Sequence, residues 1–131
     1  MSKAQYIGKT VTATGYSIVT LYDNYKEPLK VIRKFKSVGR PFADIVDIRG
    51  YYRTAGRSEI MIGVKDEGRV SWFLYEPGKY TVSGKPIVLT LNDVKNDIEE
   101  QNPANILTGN IKKYALIIGG LIVLGYVIKR K

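Results

Sequence analysis

The chain has no cysteine and no histidine. The first absence excludes disulfide staples, thiolate metal sites and thiol nucleophiles. The second removes the commonest general base and the commonest zinc ligand. The N-terminus, M-S-K-A-Q-Y-I-G-K-T-V, lacks the apolar core of a secretory signal, so the sequence predicts a start in the cytoplasm. There is no internal repeat and no low-complexity tract. A phosphate-binding loop is suggested only at Gly8-Lys9-Thr10. The full pattern needs a glycine where Lys3 stands, and a helix where a strand is expected.

Carboxylate chemistry finds little support. Asp44 and Asp47 are three apart, so on a regular strand they face opposite sides. Asp66 and Glu67 fall in an expected hairpin loop. Glu59 and Glu76 flank aromatic strands, but glycosidic cleavage would need them at a defined separation. No enzyme, cofactor or metal centre is expected.

What is abundant is positive charge, unevenly placed. The formal net charge is +9. Residues 26–57 hold nine cations against Glu27, Asp44 and Asp47, a balance of +6. Residues 58–111 hold five cations and eight acids, a balance of −3, and residues 112–131 add +5. This polarity predicts a face that meets an anionic partner. Its candidate residues are Lys30, Arg33, Lys34, Lys36, Arg40, Arg49, Arg53 and Arg57. Tyr51, Tyr52, Trp72, Phe73 and Tyr75 lie near the arginines in sequence, a mixture that can stack bases and neutralise phosphates. The competing expectation is that Trp72 and at least one tyrosine are core.

Turn signals divide residues 10–91 into short strands. Thr10–Tyr22 is β-branched and aromatic, a strand pair or one strand bent at Gly15. After a turn at Asp23–Pro28, Leu29–Lys36 alternates, with Arg33 interrupting its apolar face as at an edge. Gly39-Arg40-Pro41 breaks the chain before Ala43–Arg49, and a turn is expected at Ala55-Gly56. Glu59–Val64, Val70–Tyr75, Tyr80–Val82 and Ile87–Leu91 follow, with Lys65–Gly68 and Glu76–Gly78 as turns. The fold class is therefore mainly β, a small antiparallel barrel or sandwich over residues 1–91. Asn92 is the expected N-cap of a short helix from Asp93 to about Gln101, with Leu91, Val94 and Ile98 on one face. Pro103 stops it, and a linker runs to residue 110.

Residues 111–131 are expected to be a single transmembrane helix with a basic tail. Tyr114–Ile128 is fifteen residues without a charge. At about 1.5 Å per residue it spans about 22 Å, short of a hydrocarbon core of about 30 Å. Adding Ile111 and letting Lys112 and Lys113 snorkel extends it to about 27 Å. Lys129, Arg130 and Lys131 flank the other end, and Tyr114 and Tyr126 stand where an interfacial aromatic belt would place them. Gly119, Gly120 and Gly125 thin the helix. Ala115 and Gly119 form a small-xxx-small pair that would admit a second copy. Glycine is also common in membrane helices generally. The positive-inside rule gives a tie, so orientation is open.

Residues 39–82 run from G-R-P through I-V-D-I-R-G-Y-Y and E-I-M-I-G-V to S-W-F-L-Y-E-P-G-K-Y. This order resembles bacterial SH3-like small barrels, which implies an adaptor or ligand-binding role. The overall plan is similar to that of minor membrane-anchored virion proteins of membrane-containing bacteriophages. It implies as partners a lipid bilayer and a larger protein assembly, a capsid or a membrane complex. The alternative expectation is a membrane-tethered nucleic-acid binder using residues 26–57.

Overall fold

A computed structural model describes residues 3–53 and 57–102. The expected anchor and the turn at Ala55-Gly56 lie outside the described residues. The described residues are mainly antiparallel β sheet with one short helix. They hold eight strands: β1 (Thr10–Ala13), β2 (Ile18–Tyr22), β3 (Val31–Lys36), β4 (Pro41–Tyr52), β5 (Ser58–Asp66), β6 (Arg69–Leu74), β7 (Tyr80–Val82) and β8 (Lys85–Pro86). Their order across the sheet is β3-β2-β6-β5-β4-β1-β7-β8.

β4 carries the architecture. Its first residues pair with β1, as in Thr10 with Asp44, and its later ones pair with β5, from Ile45 opposite Val64 to Tyr52 opposite Ser58. An irregularity between Ile45 and Asp47 falls within the β4–β5 ladder, just past the residues that pair with β1. Such a bulge bends the strand. It also shifts the alternation. Ile45 and Ile48 both enter the core, so Asp44 and Asp47 lie on the same outward side. Strict alternation had placed them on opposite sides. They are still not a pair: Asp44 accepts a hydrogen bond from the Thr10 hydroxyl at 2.6 Å, and Asp47 accepts one from Arg49 at 2.8 Å.

Two hairpins close with two-residue turns. Glu67 and Gly68 have φ of 50° and 80°, and Ser83 and Gly84 have 55° and 77°. Positive φ at both positions is the turn whose twist suits a hairpin, and glycine takes the second position without strain. The first ladder reaches Asp66 opposite Arg69. Asp66 is therefore a strand residue, where the sequence suggested a loop.

The principal core holds Val11, Leu21, Ile48, Ile62, Phe73 and Tyr80 among its buried side chains. Phe73 lies at its centre, with ring centroids 4.5 Å from Tyr80 and 5.8 Å from Phe42. Phe42 meets Phe35 at 5.1 Å, which brings the inner side of β3 over the start of β4. A smaller cluster of Tyr51, Met61 and Trp72 covers the other face of β4–β5–β6. There Gly63 lies opposite Trp72, and a Cβ on it would come within 2.7 Å of the indole. This close approach is why a glycine sits in mid-strand.

Three expectations are corrected. β1 and β2 are separate strands that do not pair: β1 joins β4 and β7, and β2 joins β3 and β6. Residues 87–90 form no ladder strand, because the second hairpin is already spent at Lys85–Pro86. The helix starts earlier than Asn92. Asp93 Oδ2 accepts from the Thr90 N–H at 2.8 Å, and a 3-10 turn over Leu91–Val94 leads into α1 (Lys95–Gln101). Thr90 is the cap because Asp93 stands three residues on and can reach back to it. Val94 is buried in the principal core and Ile98 packs against it, while Leu91 is exposed.

Candidate functional site

The sequence-nominated cations separate into two groups. Arg33, Arg49 and Arg53 are paired with carboxylates. Arg33 makes a forked bond to Asp66, at 3.0 Å and 2.8 Å. The guanidinium holds the Asp66 carboxyl below the usual carboxylate range, chiefly through that hydrogen bond. Arg53 donates to Glu59 at 2.8 Å. Arg49 donates to Asp47 at 2.8 Å and to Asp97 at 3.1 Å. Asp97 is buried and also accepts the Gly50 N–H at 3.1 Å. A Cβ on Gly50 would strike the Ile98 side chain and the Val94 carbonyl within 2.9 Å. Arg49, Gly50 and Asp97 thus fix the start of α1 against β4.

The outer face of β4–β5–β6 gathers aromatic rings around these arginines. Tyr25, from the β2–β3 connection, meets Trp72 with centroids 4.9 Å apart. The Arg49 guanidinium lies 5.4 Å from the Tyr25 ring and that of Arg53 lies 6.0 Å from Tyr51. The Tyr51 hydroxyl donates to Glu27 at 2.9 Å. Burial and this carboxylate push the Tyr51 phenol's pKa up. The structure therefore brings Arg49, Tyr51, Arg53 and Trp72 together, but Trp72 is only 8% exposed. Its ring is already covered. Phe73 and Tyr75 are on the opposite, core side, where the Tyr75 hydroxyl donates to the Ile87 carbonyl at 2.7 Å. Sequence reading missed Tyr22, Tyr25 and Glu27 as members of this face. The signal available was an aromatic residue in an otherwise polar turn.

The other group is open. Lys30, Lys34, Lys36, Arg40 and Arg57 are exposed and have no ion pair among the described residues. Lys34 and Lys36 sit on β3, opposite Thr20 and Ile18 of β2. β3 is the outermost strand at its end of the sheet.

The carboxylates raised as catalytic candidates are individually occupied. Glu59 is held by Arg53, and Glu76 by Lys79 at 3.0 Å. Gly8-Lys9-Thr10 leads into β1, not a helix. No group of three or more metal-ligating side chains occurs among the described residues. No helix among the described residues is long and apolar enough to cross a membrane. Tyr114, Ala115, Gly119, Gly120, Gly125 and Tyr126, with Lys112, Lys113, Lys129, Arg130 and Lys131, lie outside the described residues. A shallow groove is lined by Gln5, Tyr6, Lys9, Lys85, Val88 and Asp93 among others. The Tyr6 hydroxyl crosses beside it to receive the Val88 N–H at 3.0 Å.

No protein-family model, curated protein or solved structure matches the chain.

Proposed function

We propose that this is a membrane-anchored structural or adaptor protein whose β domain docks onto a larger assembly. In its most concrete form it is a minor virion protein joining the capsid of a bacteriophage to an internal membrane. The observation that carries the reading is the uncharged run Tyr114–Ile128, set between Lys112-Lys113 and Lys129-Arg130-Lys131. Fifteen uncharged residues flanked by five cations suit a short single span better than a buried helix. In this reading the β domain closes as a small barrel of the SH3-like kind, and the contact of Phe35 with Phe42 supports that closure. A ladder that binds its own arginines suits a scaffold, whose task is to hold shape.

Alkaline carbonate extraction of membranes from cells making the full chain tests this. The protein is expected to stay in the membrane pellet, to need detergent for release, and to co-sediment with a large assembly. Release by carbonate alone would contradict the anchor.

A second reading is a membrane-tethered nucleic-acid binder. It is favoured by the five exposed and unpaired cations of residues 30–57. It predicts binding to duplex DNA that weakens steeply with salt.

A further inference from the structure

The outer face of the β2–β3 hairpin combines exposed apolar and cationic side chains in direct register. Ile18, 55% exposed, stands opposite Lys36, and Thr20 stands opposite Lys34. Tyr16, just before β2, is 77% exposed, and the Lys36 ammonium lies 5.8 Å from its ring centroid. The inner face of the same hairpin is spent on the core through Val19, Leu21 and Phe35. On the outer face Tyr22 packs against the smaller cluster, whereas Tyr16, Ile18, Thr20, Lys34 and Lys36 belong to neither core cluster.

Acidic side chains are kept off it. There is none from Lys9 to Tyr22 and none from Pro28 to Ala43. The two in the connecting loop are exposed but hydrogen-bonded: Asp23 accepts the Lys30 N–H at 3.0 Å and Glu27 accepts the Tyr51 hydroxyl. Asp66 is held by Arg33. Glu76 is offset by Lys79, whose ammonium also donates to the Ile18 carbonyl at 3.0 Å.

We infer that this face, built on Tyr16, Ile18, Thr20, Lys34 and Lys36, rests on anionic lipid head groups. Lysines on an outermost strand discourage pairing with a second copy. A tyrosine and an isoleucine beside lysines form the amphipathic arrangement found at a membrane–water boundary, ring and aliphatic carbon inward and ammonium at the phosphates. The inference rests on the anchored reading for its geometry. Ten residues separate Gln101 from Lys112. A chain of that length reaches at most about 35 Å, which holds an anchored domain near the head groups and lets it come down onto them. A positive, acid-free face is then drawn to them.

The absence of native cysteine allows a unique reporter. Thr20→Cys in the full chain carries a polarity-sensitive fluorophore, and Val88→Cys, on an exposed segment away from the hairpin, is the control. Both are assembled into nanodiscs of phosphatidylcholine alone or mixed with phosphatidylglycerol, and disc incorporation is scored separately. The expected result is a blue shift at position 20 only in the anionic discs, reversed by high salt. Lys34→Gln with Lys36→Gln is expected to weaken the contact about thirtyfold, from two cations lost at the surface.

Incorporation without any shift at position 20 overturns the lipid-facing hairpin and leaves the anchor standing. Failure to incorporate, with a shift on anionic vesicles, removes the anchor and keeps the hairpin. Neither incorporation nor a shift overturns both. A shift produced by duplex DNA and not by phosphatidylglycerol overturns the lipid assignment in favour of nucleic acid.

Discussion

In the β4–β5–β6 sheet, Arg49 and Arg53 each reach a carboxylate within 3.1 Å and lie over tyrosine rings. In the β2–β3 hairpin, Lys34 and Lys36 stand exposed in a row without an acid. Both regions are basic in sequence, yet Arg49 and Arg53 are spent on carboxylates and Lys34 and Lys36 are not. The difference follows from side-chain chemistry. A planar guanidinium can fork to a carboxylate while stacking on a ring, whereas an ammonium is a compact and strongly hydrated charge. Covering also differs: the two faces of the sheet each carry a hydrophobic cluster, whereas Ile18, Thr20, Lys34 and Lys36 of the hairpin belong to neither. A charge count along the chain therefore overstates the surface available to an anionic partner.

The contrast can be broken most severely from inside. Phe73→Ala removes the ring shared by Phe42 and Tyr80 and is expected to cost about 3–5 kcal/mol in urea unfolding. A loss as small as that of a surface change would mean that the two regions do not share one core. Next is Asp97→Ala, which removes the buried carboxylate that accepts the Gly50 N–H and with it one partner of Arg49. A loss of about 2 kcal/mol is expected, with α1 amides exchanging faster. An unchanged stability would show that Arg49 is not a structural arginine.

Ser71 supplies a change of opposite sign. Its hydroxyl is fully buried with no hydrogen-bond partner among the described residues. Ser71→Ala should stabilise the protein by about 1 kcal/mol in the same assay, since an unsatisfied polar group is removed. The Arg33–Asp66 pair, which links the hairpin to β5, sharpens the comparison by pH. The Asp66 pKa is lowered on folding, so the unfolded state binds the proton more readily. Its stabilisation is present above the ordinary carboxylate range and is lost as pH falls through the folded value. Asp66→Asn should flatten the acid limb of a stability–pH profile and leave stability above neutrality unresponsive to pH in this respect. An acid limb that keeps its slope would show that other carboxylates set it.

The strands were largely legible because alternation and turn residues mark them locally. Glu67-Gly68 and Glu76–Gly78 are examples, and the edge position of β3 was signalled by Arg33 breaking its apolar face. What was not legible depended on partners far along the chain. The bulge between Ile45 and Asp47 sits in the pairing of β4 with β5, and no local pattern carries that. The cap at Thr90 was hidden by Asn92, a better cap residue in isolation, because the deciding feature was the carboxylate of Asp93 three positions on. Three of the eight nominated cations proved to be tied to acids as many as 48 residues away. Open charge and spent charge look alike in sequence, since a residue type does not disclose its partner.

We propose that the lysines of the hairpin, and not the arginines of the sheet, form the surface that meets an anionic membrane. This is tested most directly by the Thr20 reporter in phosphatidylglycerol-containing nanodiscs. The Lys34→Gln/Lys36→Gln and Arg49→Gln/Arg53→Gln chains are compared at a temperature where both are folded. The lysine pair is expected to lose the blue shift and the arginine pair to keep it. Loss of the shift in the arginine pair, with the lysine pair unaffected, would contradict it.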